Sequence, residues 1–134
     1  MLPLLNAIYS AFTSAPALTN TFPGGLHRDQ VPEGTPMPYL VSQVLDSKIH
    51  YTFTGPYRAQ SRIKLSAYDV GHDTTGSLLP PVLALFDTTT LSLSTGTHTA
   101  TTRLTAPTPK LHHHDSDGND VWEWSVEYEF AVLR

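Results

Sequence analysis

The stretch of sequence that decides the fold lies near the end of the chain, where residues 122–133 read WEWSVEYEFAVL. Apolar and polar side chains alternate along it. The apolar set is Trp122, Trp124, Val126, Tyr128, Phe130 and Val132. The intervening set is Glu123, Ser125, Glu127, Glu129 and Ala131. Because successive side chains of a strand point to opposite faces, this pattern predicts a strand with one buried face and one acidic, solvated face.

Alternating or β-branched runs predict further strands upstream of this segment. They cover residues 39–45, 49–54, 59–67 and 96–105, with a short additional strand expected near residues 26–30. Asp46, Ser47 and Lys48 are typical of a hairpin turn, so the strands on either side are expected to run antiparallel. A loop rich in Pro, His and Asp precedes the closing strand, with a hairpin tip at Asp117-Gly118 or Gly118-Asn119.

Apolar residues at helical spacing predict two helices. The first covers residues 3–14 and ends before Pro16. The second begins near Leu79, after an irregular lead-in capped by Asp73, and ends at residues 87–90. Between the first helix and the sheet, a segment dense in Pro and Gly predicts a long, mostly irregular crossing. This order predicts an α+β fold, an antiparallel or mixed β-sheet with two helices packed on one face, in a single domain over residues 1–134.

The composition bounds the function before any motif is considered. The chain has 134 residues, of which 15% are charged and 11 are Pro, and its formal net charge is -4. It contains no Cys, which excludes disulfides, thiolate metal sites and a Cys nucleophile. The acidic balance disfavours binding to a nucleic-acid backbone. No apolar run approaches the ~20 residues of a membrane span, and no Lys or Arg precedes the apolar start as in a signal peptide.

Residues 112–120 are the most conspicuous candidate for metal binding, because they combine three His with three Asp. Adjacent His side chains point in different directions, so His112, His113 and His114 are not expected to hold one ion together. The run from Asp115 to Asp120 also departs from a calcium loop, because its Gly stands at the fourth place instead of the sixth. We therefore expect neither a metal site nor a cofactor.

Catalytic arrangements are equally weak. The sequence contains no nucleophile elbow, zinc-protease motif, phosphate loop or dinucleotide fingerprint. The remaining His residues are isolated: His27, His50, His72 and His98. Glu127 and Glu129 lie two apart on one strand face and offer a carboxylate pair, but a solvated acidic face explains them better. We expect no enzyme and no catalytic residue.

Charge is unevenly distributed along the chain, and two interpretations remain open. The bases Arg58, Arg62 and Lys64 lie on one predicted strand, while Glu123, Glu127 and Glu129 lie on the closing strand. In the first interpretation, neighbouring strands of one copy pair these residues across the same face. In the second, the six residues form an interface, where the basic flank of one copy meets the acidic flank of the next.

Three segments carry a resemblance to a known family: residues 38–43 (PYLVSQ), 51–55 (YTFTG) and 62–68 (RIKLSAY). Together with the closing strand and its Tyr128-Glu129-Phe130, they resemble the tail-completion, or tail-terminator, proteins of long-tailed bacteriophages and prophages. The order of elements is similar over nearly the whole chain. Pro80-Pro81 in the second helix, the Thr-rich strand and the His/Asp loop depart from the family pattern.

The resemblance implies a structural virion protein that forms a ring, typically a hexamer. Such a ring closes the head-proximal end of the tail tube and joins it to the neck. The implied partners are further copies of the chain, the tail-tube protein and the neck or connector proteins, with no specific nucleic-acid binding and no membrane. The implied location is the tail–neck junction of a virion that is assembled in the cytoplasm of a bacterial host.

Two alternatives stay open on the residues alone. A small-molecule-binding or cyclase-like α+β domain would curl its sheet around a pocket lined by Trp122, Trp124, Tyr128 and Phe53. It would need a cavity of ~300 Å³ or more between the sheet and the helices. A metal-dependent hydrolase would instead use the three His residues at 112–114.

Overall fold

The computed structural model describes residues 2–51, 57–88, 90–114 and 117–133, which form four helices and six strands. The helices are α1 (Leu2–Thr13), α2 (Pro16–Thr21), α3 (His72–Gly76) and α4 (Leu79–Thr88). The strands are β1 (Leu26–Arg28), β2 (Tyr39–Tyr51), β3 (Tyr57–Val70), β4 (Thr97–Arg103), β5 (Thr108–His114) and β6 (Asp120–Leu133). The predicted α+β class, with an antiparallel or mixed sheet, is confirmed.

The strands form one sheet in the order β1-β2-β3-β6-β4, with β5 pairing the part of β6 that β4 leaves free. β1 runs parallel to β2, and every other pair is antiparallel. The closing strand β6 therefore contacts three others and lies at the centre. Its alternating pattern is strict because both of its edges are paired and a slip by one residue would turn every apolar side chain to the wrong face.

Helices α1, α2 and α4 cover one face of this sheet. The sheet contributes alternate residues of its two central strands to the core: Ile63, Leu65, Ala67, Val126, Tyr128, Phe130 and Val132. The helices contribute Leu4, Ile8, Phe12, Leu18, Leu79, Val82 and Phe86. Burial of each large apolar side chain stabilises the fold by roughly 1.5–3 kcal/mol. The predicted helical stripes are thus the surfaces that meet the sheet.

The crossing between α1 and β2 is more ordered than its Pro and Gly content predicts. Pro16 ends α1 and also starts α2, because proline is tolerated in a first helical turn. The predicted short strand exists as β1, at Leu26–Arg28. Two parts of the crossing pack closely at Gly24, since a Cβ there would lie 2.1 Å from the carbonyl oxygen of Pro36. The backbone packing requires glycine at this position.

The predicted second helix exists and begins at Leu79 as predicted, but its lead-in differs from the prediction. Pro80 and Pro81 occupy the first turn of α4, where their missing N–H groups cost little. The lead-in contains a separate short helix, α3, whose N-cap is Gly71 instead of the expected Asp73. The side-chain hydroxyl of Thr75 donates to the carbonyl oxygens of Gly71 and Asp69, and it fastens α3 to the end of β3.

Two of the strand predictions were wrong. Asp46, Ser47 and Lys48 form no turn, because β2 continues through them and pairs with Arg62, Ser61 and Gln60 of β3. A β-bulge between Val44 and Asp46 absorbs the irregularity. The predicted Pro/His/Asp loop contains a strand, β5, that pairs with β6. The predicted end of the returning strand at residues 52–54 and the Gly55-Pro56 break lie outside the described residues.

Among the helices of the described residues, none is both long enough and apolar enough to cross a membrane.

Candidate assembly surfaces

The face of the sheet opposite the helices carries the six charged residues that the sequence singles out. Arg62 and Glu127 meet there with 2.8 Å between guanidinium nitrogen and carboxylate oxygen. Lys64 and Glu123 meet with 3.2 Å between the ammonium nitrogen and a carboxylate oxygen. Both pairs join β3 to β6 within one chain. Four of the six residues therefore follow the cross-strand interpretation.

Glu123 is the best-buried carboxylate of this face, with 6% of its surface exposed. The expected solvated acidic face is therefore wrong at this position. Burial by itself raises the pKa of Glu123, but the ammonium of Lys64 and hydrogen bonds from Lys64, Ser66 and Tyr68 outweigh it and lower the pKa below its usual value. The carboxylate is held in its charged form by these neighbours.

The side chain of Tyr68 hydrogen-bonds to the carboxylate of Glu123. Burial raises the pKa of its hydroxyl, and the negative charge of Glu123 raises it further. The Tyr68 ring stacks on Tyr39 with 5.3 Å between centroids, and it contacts the edge of His112 at 5.0 Å. His27 continues the row beside Tyr39 at 6.5 Å. A band of rings from β1, β2, β3 and β5 thus crosses one end of the helix-free face and passes over β6.

Arg58 and Glu129 differ from the other four charged residues. Arg58 is exposed and Glu129 half-buried, and neither has an ion-pair partner among the residues that the structure describes. Arg58 lies opposite Leu133 of β6, and Glu129 lies between Arg62 of β3 and Thr102 of β4. These two side chains remain available for contacts outside the chain.

Four of the large exposed apolar side chains of the described sheet, Val44, Leu45, Ile49 and Tyr51, lie on one segment. We define the arm as residues 43–51 of β2 with residues 57–61 of β3. Every residue of β2 from Gln43 to Tyr51 is exposed, including Leu45, Ile49 and Tyr51 at 42%, 50% and 78%. The helices do not reach the β2 side of the arm. Exposed apolar strands of this kind mark contact surfaces in soluble proteins.

The candidate metal site does not form in the described part of the chain. His112, His113 and His114 lie in β5, and no group of three metal-ligating side chains comes together among the described residues. His112 packs against Tyr68, and His114 contacts Asp120 with 2.5 Å between nitrogen and oxygen. Burial and the adjacent His113 lower the pKa of His112. Asp115 lies outside the described residues.

The aromatic pocket of the alternative reading is filled by side chains in the described part of the chain. Tyr128 has no exposed surface, its ring lies 6.1 Å from Phe86, and its hydroxyl donates to Asp87 at 2.9 Å. Trp124 donates its indole N–H to the carbonyl oxygen of His72 and lies directly against Gly76. Among the described residues, both rings are therefore engaged by neighbouring side chains and backbone. Phe53 lies outside the described residues.

The sequence patterns did not predict the arm or the burial of the Glu123 carboxylate, for different reasons. The arm was not predicted because residues 46–48 have the composition of a turn. The alternating pattern of β3, which pairs with these residues, was the signal that could have indicated a longer β2. The burial of Glu123 depends on Tyr68 and His112, which come from two other strands. No signal within β6 itself distinguishes Glu123 from Glu127.

The comparisons with known proteins agree with this architecture. The family model described as "Tail completion protein gp17" matches residues 6–129. No curated protein matches the chain in sequence. Among solved structures, a chain of the "Virion of native gene transfer agent (GTA) particle" has the same fold, with a TM-score of 0.69 and 17% identity over 95% of this chain and 92% of that chain.

The family match begins within the first helix, includes the whole of the second and ends within the closing strand. The segments that carried the sequence resemblance lie inside it. The described structure has the helix, crossing, long strands, helix and closing strand in the expected order. The chain belongs to the tail completion protein gp17 family, and it is therefore a structural component of a phage tail.

Proposed function

We propose that this chain closes the head-proximal end of the tail tube and joins it to the neck, acting as one subunit of a closed ring. The observation that carries the proposal is the match of the tail completion family to residues 6–129. A single tail-terminator-like domain over residues 1–134 forms each subunit, and the role is structural, without catalysis. The ring is a hexamer, as the family resemblance implies, and it contacts tail-tube protein on one side and neck or connector proteins on the other.

The net negative charge of the chain suits a ring that DNA passes through without being bound. Six copies of a chain with net charge -4 carry about -24 in all. A ring of this sign repels the phosphate backbone and lets DNA pass without specific contacts. The proposed location is the tail–neck junction of a virion assembled in the cytoplasm of a bacterial host.

The six charged residues have unequal parts in the proposed interface between copies. Arg62, Lys64, Glu123 and Glu127 are engaged inside the subunit, so their main effect is to keep β3 and β6 aligned. Arg58 and Glu129 are the two that support contacts between copies. The interface is therefore narrower than the six-residue surface that the sequence suggests.

The test is removal of the coding sequence from the phage or prophage that carries it, followed by electron microscopy of the particles. We expect filled heads without tails, together with separate tails of irregular length. A complementing wild-type copy restores joined particles. Normal heads on tails of normal length in the deletion would contradict the proposal.

A further inference from the structure

One stretch of the outer edge of β2 has no neighbour in the described part of the chain. β1 pairs with residues 40–42 of β2 and ends at Arg28. We define the outer arm edge as residues 46–50, which form an unbroken antiparallel ladder with β3 on one side and pair with no described strand on the other. No described side chain bonds the outward backbone groups of these residues. An edge of this kind presents N–H and C=O groups that another strand can bind.

The edge of a second copy of the sheet does not fit beside this stretch. β4 and β5 both pair with the same side of β6, so they lie in one column, and β1 lies in the column outside β2. Following the pairings across the sheet, Leu26 of β1 is level with Pro109 of β5. A second copy set with its β4 on the outer arm edge, without a shift along the strands, would bring its β5 onto β1 of the first. The strand that fits is a single extended segment.

The helix side of the outer arm edge ends in an uncovered apolar side chain. Ile49 of β2 pairs with Ala59 of β3, and Ala59 pairs with Val132 of β6, so the three residues lie in one row across the sheet. Val132 belongs to the core, Ala59 is half-buried, and Ile49 is 50% exposed. The apolar face therefore continues to the edge and loses its cover there. An apolar side chain on an added strand would lie beside Ile49 and cover it.

The helix-free side of the outer arm edge is basic. Lys48 is exposed and has no ion-pair partner among the described residues. His50 follows it on the same face, opposite the exposed Arg58 of β3. The one acid of this stretch, Asp46, lies opposite Arg62 of β3. An acidic side chain on an added strand would therefore have Lys48 as its cross-strand neighbour.

We infer that the outer arm edge binds an extended segment of another protein, in which acidic and apolar residues alternate, as an added strand. Lys48 and Ile49 are adjacent in sequence and point to opposite faces, so they select that alternation, while the backbone groups supply the hydrogen bonds. The inference rests on the proposed function for the source of the segment, a neighbouring protein at the tail end. It names the surface that receives the segment.

Peptide binding to the full chain tests the chemistry of the segment. The probe is a blocked, fluorescein-labelled peptide of about nine residues in which glutamate and valine alternate. The control peptide has lysine in place of every glutamate. We expect fluorescence anisotropy to show about tenfold or more tighter binding of the acidic peptide. The net charge of -4 favours the basic peptide in any nonspecific association, so the expected preference runs against the charge of the whole chain.

Two outcomes of this measurement overturn the inference. One is equal or tighter binding of the basic peptide, and the other is no binding of the acidic peptide at its highest soluble concentration. Two N-methylated versions of the acidic peptide, one at the glutamates and one at the valines, test the backbone contact. We expect one version to lose about tenfold in affinity and the other to lose less, because alternate N–H groups of a strand point to the same neighbour. Full affinity of both versions contradicts an added strand.

Hydrogen exchange followed by mass spectrometry locates the bound peptide. We expect slower exchange of the amides in residues 43–51 when the acidic peptide is added, and unchanged exchange in β4 and β5, whose outer edges also lack a described neighbour. Protection of β4 or β5 in place of the arm overturns the inference.

Lys48→Glu tests the charge contact, and circular dichroism verifies that the variant folds. We expect it to bind the acidic peptide about tenfold more weakly. The matched control is Lys110→Glu, which makes the same charge change at an exposed position of β5 and should alter the affinity less than about twofold. Ile49→Thr keeps a β-branched residue but removes apolar contact, so it provides a second test if Lys48→Glu does not fold. Equal affinities of the two Lys variants, or an unchanged affinity of Ile49→Thr, contradict the inference.

A nucleic acid is the competing ligand for the basic side of the arm. A single-stranded DNA oligonucleotide of about twelve nucleotides is therefore added to the complex with the acidic peptide. We expect the peptide to stay bound. Displacement of the peptide at an equal concentration of oligonucleotide would assign Lys48 and its neighbours to nucleic acid and overturn the inference.

Failure of this inference is distinguishable from failure of the proposed function. Absence of peptide binding rejects the added strand, and the role at the tail end is then still decided by the particles of the deletion strain. Joined particles of normal tail length in that strain reject the proposed function, whereas binding of the peptide to the isolated chain is measured independently of any particle.

Discussion

Glu123 shows how one residue of a regular pattern acquires a distinct environment. It alternates with Trp122 and Trp124 like the other acids of β6, yet Lys64, Ser66 and Tyr68 surround its carboxylate. The cost of removing the charge from water is offset by the ammonium group and the hydrogen bonds. The pair therefore fixes the register of β3 against β6 at the end of the sheet that carries the row of rings.

Glu123→Gln tests this environment. The substitution removes the charge opposite Lys64, and we expect a loss of about 1–3 kcal/mol in the free energy of unfolding at neutral pH. Urea denaturation measures it. Glu129→Gln is the matched control on the same strand face, and a change within about 0.5 kcal/mol is expected there. Equal effects of the two substitutions would show that burial of Glu123 has no energetic consequence.

The pH dependence of the same site has a definite sign. The pKa of Glu123 is lower in the folded chain than the ordinary value of 4.5. The stabilisation is therefore fully present above the ordinary value and is lost as the pH falls through the lower folded pKa. We expect the difference in unfolding free energy between the natural chain and Glu123→Gln to shrink below about pH 4.5. A difference that stays constant down to acid pH would contradict this assignment.

At the scale of elements, β4 is joined to the core by a buried His. His98 is 6% exposed, and its Nδ1 accepts the backbone N–H of Leu91 at 2.8 Å. Its Nε2 lies 2.6 Å from the hydroxyl of Thr101. The Thr-rich strand has few apolar side chains of its own, so this residue and the ladder to β6 hold it in place.

His98→Leu keeps much of the side-chain volume but removes both ring nitrogens. The N–H of Leu91 is then buried without its acceptor, and we expect a loss of about 1–3 kcal/mol in the free energy of unfolding. Thermal or urea unfolding measures the loss. His113→Leu, on the exposed strand β5, serves as the control and is expected to stay within about 0.5 kcal/mol. A neutral His98→Leu would mean that β4 is held by its ladder alone.

At the scale of the whole molecule, the charged residues separate into those that form ion pairs within the chain and those that we propose for contacts between copies. Arg62 and Glu127 form an ion pair within the chain, whereas Glu129 has no ion-pair partner among the described residues. The sheet also extends beyond its helices in the arm. A single chain therefore leaves the Glu129 carboxylate without an ion-pair partner among the described residues and leaves the apolar side chains of the arm exposed.

Glu129→Lys is expected to weaken self-association about tenfold at low ionic strength. The effect should diminish in high salt, because screening shortens the range of the lost attraction. Sedimentation or light scattering at two salt concentrations measures it. Glu33→Lys makes the same charge change at an exposed position of the crossing and should leave association nearly unaltered. Identical effects of the two variants would indicate a response to net charge only.

Sequence patterns predicted the elements whose stability comes from their own side chains. α1, α4, β3 and β6 each bury a regular stripe, so the period of that stripe identifies them. β5 was missed because all its residues are exposed, and its hydrogen bonds to β6 are what make it a strand. The turn expected at residues 46–48 failed for a related reason, since pairing with β3 overrides local turn preference.

The sequence by itself determined the fold class, the closing strand, the buried helical stripes and the resemblance to tail-completion proteins, because periodicity and composition are local properties. Only the tertiary structure decided which charges pair within the chain, that Glu123 is buried, and that β1 pairs with the outer edge of β2 only at residues 40–42. Those features arise from contacts between residues far apart in sequence, and no pattern within a single strand records them.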